Sequence, residues 1–259
     1  MPGDRSNTAT VIAISAIAYA LADMVHEALG HGLLSLLVPG VKAISISTVA
    51  LNETGSSRIV AAAGMIANII TGGLSLWLFA KRRQVTNGSY FLWLFAGVNL
   101  MDIGYLLYSG VLRYGDWYDV IAGLPLEPLW RVALIVAGIA GYIGVMRFLY
   151  AAMASQIRRS ALDGRDVRRA VIISYFAGSA LVLLGAAFNP IKQLIWLSGL
   201  AVGFVGTFGF FGVAGWIEHV GAEAAARPAV RFSAMWIIFG AVVAAAFVLI
   251  LGPGVRLSS

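Results

Sequence analysis

The sequence contains no cysteine, which excludes disulfides, thiolate nucleophiles and cysteine-ligated zinc sites. Charge is scarce as well: Asp, Glu, Lys and Arg make up 12% of 259 residues, against about 25% in ordinary soluble domains. No polar stretch is long enough for an inserted soluble domain; the longest lie near 41–58, 155–169 and 217–231. What fills the chain is apolar, with 60% hydrophobic residues and a mean hydropathy of +0.87. These values identify an all-α polytopic membrane protein. The net charge of +6 would suggest a nucleic-acid partner in a soluble chain. Here the basic residues fall in short loops between apolar runs, so they read as topology signals and nucleic acid is not expected.

Seven runs are long enough to span a bilayer, at about 9–37, 59–80, 90–110, 129–153, 170–188, 191–215 and 233–252. The fifth and sixth are separated by Asn189-Pro190, a tight break. The lead-in Met1 to Arg5 resembles a signal peptide only superficially, because the run after it is long and carries a histidine motif. Charge predicts the orientation. The amino-terminal side holds Arg5, Lys81, Arg82, Arg83, Arg147, five arginines between 158 and 169, Arg227 and Arg231. The other side holds Lys42, Arg58, Arg113, Arg131, Lys192 and Arg256, and twelve against six places the amino terminus in the cytoplasm.

Histidine is the rarest polar residue of interest, with three in the chain. Two of them stand in Val25 to Leu33, V-H-E-A-L-G-H-G-L, inside the first run. Ionisable groups at membrane depth are costly enough to mark a functional site. His26, Glu27 and His31 are the inventory of a hydrolytic zinc site: two imidazole ligands and a carboxylate to move the proton of water. The familiar H-E-x-x-H spacing offsets its histidines by about 40° on a regular helix, whereas five residues give roughly 140°. A π-bulge returns i and i+5 to one face, and Gly30 and Gly32 make local unwinding cheap. The H-E-x-x-x-H pattern resembles the zinc motif of dipeptidyl peptidase III over these six residues. A regular helix would instead align Asp23, Glu27 and His31 as a polar stripe fit for proton relay.

Further polar residues share this depth. Asn68 lies in the second run, and Asn99 and Asp102 in the third, before Asp116 and Asp119. Counted from the outer end of each run, His26, His31, Asn68 and Asp102 all fall roughly 9–17 Å in. Between the first two runs, Val41 to Thr48 alternates apolar and small residues and predicts a short strand, with Asn52 to Ser57 as the turn after it. Such a strand can pair with a substrate segment and hold it extended.

With these residues assembled, positions 1–128 resemble the core of the site-2 protease family of intramembrane zinc metalloproteases. The counterparts are His26-Glu27…His31, the strand at 41–48, Gly64…Asn68 in A-A-A-G-M-I-A-N, Asn99-Leu100, and Gly115-Asp116-Trp117. The resemblance implies that Glu27 is general base and acid, that Asn68 binds substrate backbone or oxyanion, and that Asp116 is the third ligand. The chain departs from the family in its longer histidine spacing and in lacking a proline after Asn99-Leu100, with Asp102 near that place. Its inferred orientation is also the reverse of the family's. Residues 129–259, the last four runs, match no family and form a second region of unassigned role.

Two carboxylates therefore compete to be the third ligand. Asp102 has the right depth, while Asp116 must return on a loop bounded by Gly110 and Pro125. Asp116 is favoured, with Asp102 orienting an imidazole through its other nitrogen. The expected activity is zinc-dependent hydrolysis of peptide bonds in or beside the bilayer, in a membrane-spanning protein substrate. One alternative is a ceramidase-like zinc lipid amidase, which would need His219 in the site. Another is a non-catalytic or proton-coupled membrane protein using Asp23, Glu27, His31 and Asp102. A rhomboid-like serine protease is not expected, since no G-x-S-G stands in a run facing a histidine.

Overall fold

The computed structural model describes residues 5–191, 195–221 and 227–257. Helix α1 (Thr8–Met24) continues through a π-helical stretch (Val25–Gly32) into α2 (Leu33–Leu37). Then come strands β1 (Lys42–Ile46) and β2 (Leu51–Thr54), and helices α3 (Arg58–Ala80) and α4 (Asn87–Met101). A 3-10 turn (Asp102–Gly104) joins α4 to α5 (Tyr105–Leu112), and the short α6 (Asp116–Ile121) comes next. The remainder is α7 (Glu127–Ser160), α8 (Gly164–Ala187), a second π-helical stretch (Ile195–Gly206), α9 (Gly209–Ile217), α10 (Ala234–Ala246) with a third π-helical stretch (Phe247–Leu251), and β3 (Val255–Arg256). Among the described residues, seven helical segments are long and apolar enough to cross a membrane. Most begin and end close to the seven apolar runs, but the fourth extends to Ser160 and the fifth begins at Gly164, so helix covers most of the stretch read as a polar loop at 155–169; part of the sixth, with Lys192, lies outside the described residues.

Helix α1 starts at an Asn7 cap, whose Oδ1 accepts the Thr10 N–H at 3.0 Å. It is apolar on nearly every face and buried accordingly, packed by α4, α8 and α10. The core around it holds Tyr19, Tyr90, Trp93, Leu149 and Phe210. The polar tips of its aromatics are satisfied: Tyr19 bonds Thr207 at 3.1 Å, Tyr90 Ser174 at 2.9 Å, and the Trp93 indole the Leu149 carbonyl at 3.0 Å. Residues from both sides of position 128 contribute to this single core. The outer faces of α7 and α10 expose Leu129, Val136, Phe148, Met235, Ile238 and Val242.

The sheet differs from the sequence expectation. It has three antiparallel strands in the order β2-β1-β3. The turn lies at 47–50, where Ser47 Oγ accepts the Val49 and Ala50 N–H groups at 3.3 Å. Asn52 to Thr54, expected as turn, pair as strand instead, and Gly55 at φ 83° ends them. The strand read at 41–48 is thus the central one, with both edges taken, and β2 and β3 are the outer strands.

Candidate metal centre

The helix is irregular where the histidine spacing requires it. Val25–Gly32 is π-helical, and the Leu33 N–H reaches the Ala28 carbonyl, five residues back. Residues five apart then stand above one another, so the His26 and His31 rings lie 4.9 Å apart at 71°. The helix is thus not regular over Glu27 to His31, although Asp23, Glu27 and His31 all line the same cavity. Close approach of α3 completes the wall. A methyl at Gly30 would collide with the Gly64 backbone, and one at Gly64 would sit 2.5 Å from His26 Nε2 and 2.6 Å from His31 Nε2.

Asp116 reaches the histidines through a sharp change of chain direction. Arg113 at φ 56° ends α5, and Gly115 at φ 88° starts α6, so Asp116 is its first residue. Gly115 can take that conformation without a steric penalty, and a side chain there would strike the Tyr105 hydroxyl. Asp116 Oδ2 lies 3.1 Å from His26 Nε2 and 3.3 Å from His31 Nε2. Burial pushes the Asp116 carboxyl up, but the hydrogen bonds and charge of the two imidazoles outweigh it and hold it well below its usual range.

The opposite ring nitrogens fix the tautomers. His31 Nδ1 lies 2.8 Å from the Val60 carbonyl, which can only accept, so Nδ1 carries the hydrogen. His26 Nδ1 faces Asp102 Oδ2 at 3.1 Å, and the Asn68 side-chain amide donates to the same oxygen at 3.1 Å. Each Nε2 is then left facing the Asp116 carboxylate oxygen. Two imidazole nitrogens packed against a carboxylate are stable with positive charge among them, carried by protons on the rings or by a metal ion. Nε2, Nε2 and a carboxylate oxygen form a set able to hold a metal ion, with ligand atoms from His26, His31 and Asp116 within 4.8 Å of one another.

Glu27 is buried beside this set without belonging to it, and the Leu51 N–H of β2 donates to its Oε2 at 2.6 Å. Asn68 is buried, and its Oδ1 has no partner. A flipped amide would set Oδ1 against Asp102, so the assignment stands on its network. Around the group opens a cavity of about 1420 Å³. Its walls include Asp23, Leu51, Glu53, Tyr105 and Asp119, and it extends along Tyr142, Val182 and Phe204. Burial raises the Glu53 carboxyl above its usual range.

Two sequence candidates lie elsewhere. Asn99 turns to the α3–α4 interface, donating to the Phe95 carbonyl at 2.7 Å and accepting from Thr71 at 3.1 Å. It braces the helices that carry Asn68 and Asp102. His219 is exposed at the far end of α9 and joins none of the ligand atoms. Sequence reasoning missed the Val60 carbonyl and the Leu51 N–H, since every residue carries such groups and only the fold selects which ones serve. No family model matches the chain, and no curated protein or solved structure matches it either.

Proposed function

We propose that this chain is a membrane-embedded zinc metallopeptidase that hydrolyses peptide bonds in or next to the bilayer. The observation carrying this reading is the convergence of His26, His31 and Asp116 beside Glu27, in a cavity edged by the outer strand β2. The exposed apolar faces of α7 and α10 support burial in lipid, and the charge bias supports a cytoplasmic amino terminus. Two nitrogens and one carboxylate oxygen suit zinc, and so does the tautomer set by Val60 and Asp102. Zinc bound there supplies a Lewis acid that polarises the scissile carbonyl and acidifies water.

The chain's own residues do the rest. The Leu51 N–H fixes Glu27, which takes the proton from the attacking water and returns it to the leaving nitrogen. Asn68 donates to Asp102, and its open Oδ1 accepts a substrate N–H. The outer edge of β2 holds the substrate segment extended. Asp102 orients His26 and Val60 orients His31.

The long apolar arm of the cavity favours one second reading, an N-acyl lipid amide as substrate. The deciding experiment incubates purified protein, in lipid discs with zinc, with a tethered transmembrane peptide and separately with an N-acyl lipid amide. Peptide cleavage that Glu27→Gln abolishes without loss of zinc is expected. Cleavage of the lipid amide alone would transfer the site to lipid hydrolysis. Absence of zinc from wild-type protein would overturn both and leave a non-catalytic or proton-coupled membrane protein.

A further inference from the structure

A second cavity, of about 520 Å³, lies at the end of the helix bundle opposite the metal centre. Three distant segments meet there: the link from α3 to α4, the end of α7, and the chain entering α10. The walls carry Arg159, Arg227 and Arg231, together with Thr86, Asn87 and Ser160, and among the described residues no carboxylate.

The frame is built by specific bonds. Asn87 clamps the backbone of Arg231 at two points, donating to its carbonyl at 2.8 Å and accepting its N–H at 2.9 Å. The Arg227 N–H donates to the Ala161 carbonyl at 3.1 Å, and the Val85 N–H to Ser160 Oγ at 3.3 Å. Gln156 ties in the α3 end through the Arg82 carbonyl at 2.8 Å. Two other arginines of this end are paired elsewhere: Arg168 with Glu218 at 3.3 Å, and Arg169, which donates to Thr8 at 3.0 Å. Among the described residues, the guanidinium groups of Arg159, Arg227 and Arg231 bond to no carboxylate and no carbonyl.

Positive charge at this end is expected from topology alone. Topology, however, needs only charge; it does not need three exposed arginines from separate segments to border one cavity with no carboxylate partner among the described residues. Guanidinium forks match tetrahedral oxyanions, and the hydroxyls of Thr86 and Ser160 add neutral donors. We infer that this cavity binds a phosphate group. Its place at the ends of apolar helices suits the headgroup of an anionic lipid, and the same chemistry fits a free phosphate compound. The site is independent of the metal centre.

The test uses the full chain purified in a neutral detergent. Binding of short-chain phosphatidylglycerol and of inorganic phosphate is measured for wild type, for Arg159→Gln, Arg227→Gln and Arg231→Gln, and for Arg158→Gln. Arg158 is exposed on the same helix end but does not line the cavity. The frame bonds use backbone atoms of Arg227 and Arg231, so these substitutions leave it standing. Each cavity variant should weaken binding about tenfold, the effect of one lost charge-assisted bond, with Arg158→Gln close to wild type. Preference for the lipid identifies a headgroup site, and equal binding of both identifies a site for a soluble phosphate. Absence of binding by either probe, or equal loss in Arg158→Gln, would overturn the assignment and leave only diffuse charge.

Discussion

The sharpest perturbation of the metal centre is a single methyl. Gly64→Ala places a Cβ 2.5 Å from His26 Nε2 and 2.6 Å from His31 Nε2, the two nitrogens assigned to the metal. Ordinary contact begins near 3.4 Å, so each imidazole must retreat by about 0.9 Å. Metal sites tolerate deviations of only about 0.2 Å in ligand distance. The two rings cannot retreat freely, because Val60 and Asp102 hold them from behind. Yet the fold should survive, since Ala is the better helix former by up to about 1 kcal/mol. The expected result is protein with a near wild-type melting temperature and less than about a tenth of the zinc expected for one catalytic site per chain. Elemental analysis beside thermal unfolding reads both quantities. Gly30→Ala is the contrast: it meets the α3 backbone, and should lower the melting temperature as well. If Gly64→Ala retains stoichiometric zinc, the two Nε2 atoms are not the ligand atoms and the assignment of the site fails.

Asp116→Ala should empty the site, whereas Asp102→Ala, which removes a group that orients His26, should weaken zinc affinity by about 10–100-fold; competition with a chelator distinguishes the two. Asn99→Ala should keep zinc and lose about 0.5–1.5 kcal/mol of stability, the net worth of a hydrogen bond, since Thr71 keeps its bonds to the Ala67 and Asn68 carbonyls, as denaturant unfolding would show. The chain has no native cysteine, so cysteines placed singly at the exposed positions Ser56 and Gln84 can be probed in intact cells with an impermeant thiol reagent. A cytoplasmic amino terminus requires reaction at Ser56 and protection at Gln84, and the opposite pattern reverses the orientation.

Much of the helical frame was legible because apolar runs separated by short polar loops leave few other solutions. The sheet was harder. Asn52 to Ser57 has turn chemistry, but a turn set by Ser47 lets Asn52 pair with Ser45, and β3 arrives from the far end of the chain. Asn68 and Asp102 could be placed at the level of His26 by counting residues along their helices. Counting gives height but not azimuth, so Asn99 looked equivalent to them although its side chain faces the α3–α4 seam. The cavity at Arg159, Arg227 and Arg231 was hidden for a related reason. In sequence these are scattered charges, and bonds between distant segments, such as the clamp of Asn87 on Arg231 and the Arg227 N–H to the Ala161 carbonyl, bring them together.

The longer histidine spacing is itself open to experiment. On an α-helix, four residues return a side chain to nearly the same face, and on a π-helix five do. The extra residue between Glu27 and His31 is thus absorbed by the switch from i→i+4 to i→i+5 bonding, seen where the Leu33 N–H meets the Ala28 carbonyl. Leu29 is 54% exposed, so removing it takes away little packing. Its deletion converts the stretch to His-Glu-x-x-His and lets regular α-helical bonding resume. Little helix remains beyond His31, since α2 ends at Leu37, so the shift in register is taken up before β1. Both imidazoles should still face α3, and the shortened protein should bind about one zinc ion per chain. Insertion of an alanine after Leu29 should abolish binding, because six residues suit neither helix. A deletion variant that folds with a normal melting temperature but holds no zinc would show that the π-helical geometry is required in itself, beyond accommodating one extra residue.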